Sequence, residues 1–187
     1  MNPSKGTVEG VDNVEAINHQ KKKKMGKITP GGYRVDDSGR LIKYDMTYYE
    51  NGASYEGECY NSKRFGLGRY WEADGTKYEG EWLNDKKEGY GEQDYPPPKD
   101  QGPLGMKKDW SNFKKRYEGD WHEGFRHGLG IMWDADGSIY KGEFAGDHYE
   151  GYGRLVTPDG NIYEGQFYND KLGGQGKIIF KNGDTYE

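Results

Sequence analysis

With a single cysteine, Cys59, the chain can form no disulfide within itself, so packing and hydrogen bonds must hold whatever fold it adopts. No apolar run approaches the ~20 residues that a membrane-spanning helix needs. After Lys21 to Lys24 comes Met-Gly-Lys, where a secretory signal would have its hydrophobic stretch. Together these absences make a reducing, cytoplasmic setting the expectation. Apolar residues in general are scarce: 32% of the 187 residues are hydrophobic, 32% are charged, and mean hydropathy is -1.20, too little for an ordinary globular core. Such figures would also suit disorder, but disordered chains are poor in aromatics. This one carries 17 Tyr, 6 Phe and 5 Trp beside 31 Gly, so something regular must use them.

The charge is unevenly placed. Residues 1–30 hold six Lys against three acids and residues 94–116 hold six Lys or Arg against three Asp, each a net +3, which leaves -11 for the rest of a chain whose total is -5. An acidic body repels phosphate backbones and makes nucleic acid an unsuitable partner. Residues 1–30 read as a basic, disordered tail.

What the glycines and aromatics build is a repeat. Tyr55-Glu-Gly-Glu recurs as Tyr78-Glu-Gly-Glu, Tyr117-Glu-Gly-Asp, Tyr140-Lys-Gly-Glu and Tyr163-Glu-Gly-Gln, and Tyr186-Glu187 opens another. The steps are 23, 39, 23, 23 and 23 residues, the long one being 23 plus a 16-residue insertion around Pro96-Pro97-Pro98 and Pro103. Inside the units, Gly-x-Gly follows at a fixed offset: Gly66/Gly68, Gly89/Gly91, Gly128/Gly130, Gly151/Gly153 and Gly174/Gly176. Asp74-Gly75, Asp136-Gly137, Asp159-Gly160 and Asn182-Gly183, with Asn51-Gly52 upstream, read as tight type I′ hairpin turns. Each unit therefore reads as two short strands and two turns, and residues 31–54 as a degenerate first copy. Period-two alternation puts Tyr78, Gly80 and Trp82 on one face and Glu79 and Glu81 on the other. Trp121, Phe144 and Phe167 hold the Trp82 position in later units, and Cys59 holds it in the first. The returning strands alternate too, with Leu67/Trp71, Leu129/Trp133 and Tyr152/Val156 sharing a face.

Few residues suggest chemistry. The Gly-x-Gly pairs lack the third glycine, and the strand-to-helix setting, of a nucleotide fingerprint. His122-Glu123 with His127 has the second histidine at i+5 rather than i+4, and a turn between strands supplies no helix to bring both to a metal; His127 reads as a loop residue, and His19 and His148 have no companions at ligand spacing. Glu56, Glu58, Glu79, Glu81, Glu118 and Asp120 recur as a ladder that keeps one face wet, since a single-layer sheet gives paired carboxylates no shielded pocket. No cofactor, metal or catalytic residue is expected. Four adjacent lysines, Lys21, Lys22, Lys23 and Lys24, are the candidate contact with an anionic surface, where each would gain about 1 kcal/mol.

Y-E-G-E-W, a polar loop, G-x-G and a D-G turn every 23 residues resembles the membrane occupation and recognition nexus, or MORN, repeat, strongly over residues 55–187 apart from the insertion. The resemblance implies an all-β fold, an elongated, twisted single-layer antiparallel sheet with an open groove, here of about eleven or twelve strands. It implies no enzyme. It suggests a scaffold for other proteins, cytoskeletal ones in the axoneme of a cilium or flagellum, with a membrane-proximal tether as the alternative. Trp71, Trp82, Trp121, Trp133, Phe144 and Phe167 are the expected partner anchors, because rings on a one-layer sheet should remain partly exposed. The acidic body favours a basic partner segment. Residues 95–116 should form an excursion from the sheet, since three prolines in succession cannot donate to a ladder. At the far end, Lys177 to Phe180 and the abbreviated Tyr186-Glu187 strand should be covered by further chain or by a partner.

Overall fold

The computed structural model describes residues 13–24, 32–97 and 115–187. These residues form one antiparallel sheet of thirteen strands whose order in space is their order in sequence, β1 (Tyr33–Val35), β2 (Leu41–Tyr48), β3 (Ser54–Tyr60), β4 (Lys63–Trp71), β5 (Lys77–Leu83), β6 (Lys86–Tyr95), β7 (Lys115–His122), β8 (Phe125–Trp133), β9 (Ile139–Ala145), β10 (His148–Val156), β11 (Ile162–Tyr168), β12 (Lys171–Ile179) and β13 (Thr185–Tyr186). At ~4.8 Å per strand the ribbon is roughly 60 Å long. Within the segment expected to be a disordered tail there is one helix, α1 (Val14–Lys24). The insertion connects β6 to β7, which pair from Gly89↔Trp121 to Tyr95↔Lys115, so the excursion starts and ends at one ladder rung. Most of its own residues lie outside the described ones.

The two kinds of hairpin end differ. Asn84-Asp85, Asn61-Ser62 and Asn169-Asp170 have positive φ at both residues, between 50° and 70°, which is the type I′ signature. The Asp-Gly turns are of another kind, contrary to the sequence expectation: in Asp74-Gly75 only the glycine is left-handed, and Gly75 N–H donates to Glu72 C=O while Glu72 N–H donates to Thr76 C=O. That is a type I turn closed by a glycine bulge. Aspartate serves it through its side chain, since Asp74 Oδ1 accepts the Thr76 amide at 2.7 Å.

Each unit also carries a bulge at its first Gly-x-Gly glycine. Between the rungs Gly80↔Gly91 and Glu81↔Glu88, β6 has two extra residues, and Gly89 there has φ +61°. The Glu81 carboxylate bridges the gap by accepting the Tyr90 amide at 3.1 Å. Glu58 does this for Leu67, Asp120 for Leu129 and Glu143 for Tyr152, at 3.0, 3.2 and 3.0 Å. The last acid of Y-E-G-E is thus part of the backbone's hydrogen bonding, and solvation alone does not explain it. Burial works against the Glu58 carboxylate, yet hydrogen bonds from Arg34 and the Leu67 amide outweigh it and hold its pKa below the usual range.

Candidate functional site

The core lies on one face of the sheet. Tyr55, Tyr78, Tyr117 and Tyr140 are at most 1% exposed, each lying flat across the glycines of its own hairpin. A Cβ on Gly130, for instance, would come within 2.5 Å of the Tyr117 ring. The phenol donates to the carbonyl three residues on: Tyr78 to Glu81 at 2.9 Å, Tyr117 to Asp120 at 2.8 Å. Each tyrosine of the middle units also meets two perpendicular rings, one from its own unit and one from the next. Tyr78 has Trp82 at 5.1 Å and Trp121 at 5.3 Å, Tyr117 has Trp121 at 5.2 Å and Phe144 at 5.0 Å, and Tyr140 has Phe144 at 5.2 Å and Phe167 at 5.0 Å. The indoles tie units together again, Trp82 Nε1 donating to Gly68 C=O and Trp121 Nε1 to Gly91 C=O.

The six candidate anchors therefore do not form one site. Trp82, Trp121, Phe144 and Phe167 are 2–4% exposed and are core residues, because rings of successive units cover one another more fully than a one-layer sheet led us to expect. Trp71 and Trp133 sit on the opposite face, in register with Lys77 and with Arg116 and Ile139, and are half-buried. What the ring face presents outwards is a second row, directly across the ladder from the anchors: Arg64, Lys87, Arg126, Tyr149 and Leu172. Arg64 lies 4.2 Å from the Trp82 ring centroid, Lys87 4.7 Å from that of Trp121, and Tyr149 stacks on Tyr140 at 3.8 Å. Tyr70 and Tyr95 pack beside them. This row carried no separate signal in sequence, since its residue types vary from unit to unit.

Two of these cations are paired by the next hairpin's turn: Asp85 Oδ1 accepts the backbone and guanidinium N–H groups of Arg64, and Asp147 Oδ1 those of Arg126. Lys87 differs. The turn residue in the equivalent place is Gly124, whose amide donates to Lys87 C=O, and the ammonium donates to Gln93 Oε1. Among the described residues no carboxylate lies within ion-pair reach of it. Burial between rings, only partly offset by more distant acids, pushes its pKa down to about 8. Cys59, half-buried in the anchor position of the first unit, has its thiol pKa raised by burial and is correspondingly unreactive.

The opposite face is charged. Arg69 lies between Glu56 and Glu79, and Arg116 joins Glu92 at 2.7 Å and Glu118 at 3.1 Å. Here α1 is seated. Val14 and Asn18 are 0% and 1% exposed, Asn18 Nδ2 donates to Glu118 C=O at 3.1 Å, Lys21 pairs with Asp120 at 2.5 Å, Lys22 with Glu92 at 2.6 Å, and Glu15 with Lys141. Two of the four lysines proposed for an anionic surface are thus engaged with the sheet. His127 is on strand β8 rather than in a loop, its ring 5.6 Å from that of His122, whose Nδ1 faces Glu88 Oε1 at 3.0 Å. Among the described residues no group of three or more His, Cys, Asp or Glu is arranged to hold a metal, and no helix is long and apolar enough to cross a membrane.

One open sheet, with a ring face whose units interlock and a charged face on its back, defines a non-enclosing repeat scaffold. The model of the MORN repeat matches residues 55–77, 78–97, 117–139, 140–162 and 163–185, more than half of the chain, and the protein belongs to the MORN-repeat family. No curated protein sequence matches it significantly. Among solved structures it is similar to the TCP domain of SAS-4 (dCPAP) of Drosophila melanogaster, in complex with a proline-rich motif of Ana2 (dSTIL), at 13% identity and a TM-score of 0.43, covering 86% of this chain and 96% of that one.

Proposed function

We propose that the chain is a non-enzymatic scaffold that binds other proteins along its ring face, within the cytoskeleton and in particular the axoneme of a cilium or flagellum. The observation that carries this reading is the continuous outer row of Arg64, Lys87, Arg126 and Tyr149 with Tyr70 and Tyr95, side chains half-buried over a rigid aromatic base and spread over several units. A surface of that length suits an extended or helical segment of a partner and encloses no substrate. The acidic body as a whole favours basic segments, although the outer row itself carries three cations, of which Arg64 and Arg126 are paired with Asp85 and Asp147; the family resemblance supports the ciliary setting. The tether alternative, in which the basic tail and the insertion reach anionic lipid, loses two of its lysines to the pairing of Lys21 and Lys22 with Asp120 and Glu92.

Affinity purification from ciliated cells, compared between the parent chain and Tyr70→Ala/Tyr149→Ala, tests the reading. Both rings rim the core rather than fill it, so the sheet should persist while axonemal neighbours are lost. Unchanged recovery of those neighbours, or neighbours drawn only from membranes, would sink it.

A further inference from the structure

The charged face has a local exception in its repeat. The residue after the second Gly-x-Gly glycine is Arg69, Glu92, Arg154 or Lys177 in four units, but Ile131 in the remaining one, and Ile131 is 0% exposed. On the same face but across β7, Tyr90 is 3% exposed with α1 in place, whereas its counterparts Leu67, Leu129 and Tyr152 are only half-buried. Between them on β7 stand Glu118 and Asp120, with Glu92 next to Glu118 on β6. The result is a floor of two apolar supports separated and rimmed by acidic side chains, built where β6, β7 and β8 meet and at no other described position along the ribbon.

Its present occupant is α1, which uses one stripe of side chains at helical spacing, Val14, Asn18, Lys21 and Lys22. The fit is incomplete. Asn18 Oδ1 is buried without a hydrogen-bond partner, a defect that weakens the seating of the helix. The lysine side chains are 34% and 54% exposed, so their ion pairs with the more buried Asp120 and Glu92 are open to screening and weaken with salt. At 11 residues the helix is too short to persist alone in water, where helices below about 12–15 residues are marginal. Burial beneath it raises the pKa of the Glu118 carboxylate, only partly offset by Arg116 and Lys22, which is a further cost of occupancy.

We propose that this floor and rim form a docking site for lysine-rich helices of partner proteins, and that α1 occupies it as a displaceable ligand supplied by the chain itself. A partner helix with a larger apolar residue in the Val14 position and no stranded carbonyl in the Asn18 position would bind better than α1 does. The site lies on the back of the sheet and is independent of the ring-face reading.

The test uses the full chain and a labelled peptide of its own residues 11–26, titrated by fluorescence anisotropy. In Lys21→Glu/Lys22→Glu the resident helix is weakened, and the peptide should bind at least tenfold more tightly than to the parent. Adding Glu92→Lys and Asp120→Asn to that variant should abolish binding, while the carboxamide introduced by Asp120→Asn retains an oxygen for the Leu129 amide so that the bulge is kept. A peptide of the same composition with Val14 and the lysines scrambled off one stripe should not bind. Equal affinity for the parent and for Lys21→Glu/Lys22→Glu overturns the occupancy by α1. Binding that survives Glu92→Lys/Asp120→Asn, or that the scrambled peptide matches, overturns the site. None of these substitutions touches the ring face, and Tyr70→Ala/Tyr149→Ala should leave the titration unaltered.

Discussion

Each buried tyrosine demands bare backbone beneath it, and the glycines that provide it are irreplaceable for different reasons. At Gly91 a methyl group would meet the Tyr78 phenol well inside contact distance, so Gly91→Ala should cost about 1–3 kcal/mol in urea unfolding, as overpacking does, whereas Gly39→Ala, with open space around it, should show only backbone strain. Trp121→Ala removes a ring that touches Tyr78 and Tyr117 and a hydrogen bond to the preceding unit, and about 3–5 kcal/mol should be lost; unchanged thermal unfolding would contradict the interlocked core. Lys87 sets a pH dependence of uncommon sign. Its charged form is the one the fold disfavours, so the penalty is full below about 8 and disappears as pH rises toward the ordinary 10.5. Above about 10 the unfolded chain's phenols ionise, while Tyr55, Tyr117 and Tyr140 have theirs raised by burial, which turns the trend downward. The raised thiol pKa of Cys59 acts in the opposite direction over the same range, so melting temperature should rise between pH 8 and 10 in the parent relative to Lys87→Met, whose own curve should fall slightly. Parallel curves for the two would remove the buried charge from the account.

The hairpins follow from the local chemistry of their bulges and turns. Glu81→Ala leaves the Tyr90 amide without its acceptor and should cost about 1 kcal/mol, with Glu81→Gln close to neutral because an oxygen remains. Since Asp94 pairs with Arg116 as Trp71 does with Lys77, deleting residues 98–113 would leave between them the same five-residue span that links β4 to β5. Circular dichroism of that deletion should keep the sheet signal. Much of this level was legible in the sequence: spacing of 23 residues located the strands, and period two assigned Tyr78 and Trp82 to one face and Glu79 to the other. What was not legible follows from ambiguity in the short motifs. Asp-Gly serves both type I′ turns and glycine-bulged type I turns, and only the number of residues in the loop separates them. The helix was hidden because its apolar stripe is Val14 alone beside a run of lysines, although Ile131 among charged counterparts could have flagged the surface beneath it.

At the scale of the whole molecule the two ends are unlike the middle. Tyr163 is only half-buried, has no ring from a following unit and makes no bond of the kind Tyr140 makes to Glu143, while β13 pairs with just Ile178 and Ile179 of β12. Amide exchange should thus be faster over residues 171–180 than over 125–133, and a covering partner should close the gap; equal protection in the isolated chain would mean that this edge needs no cover. That four of the six candidate anchors, Trp82, Trp121, Phe144 and Phe167, are core residues belongs to this scale too, since their rings are covered by those of neighbouring units. Hydrogen bonds between strands run along the ribbon's length, so tension applied at its two ends meets them one ladder at a time rather than all together. A released unit of 23 residues can extend to about 80 Å. Stretched in this way, the protein should give in a staircase of small, nearly equal lengthenings at low force, recover each step on relaxation, and serve between two moving attachments as a yielding link rather than a strut.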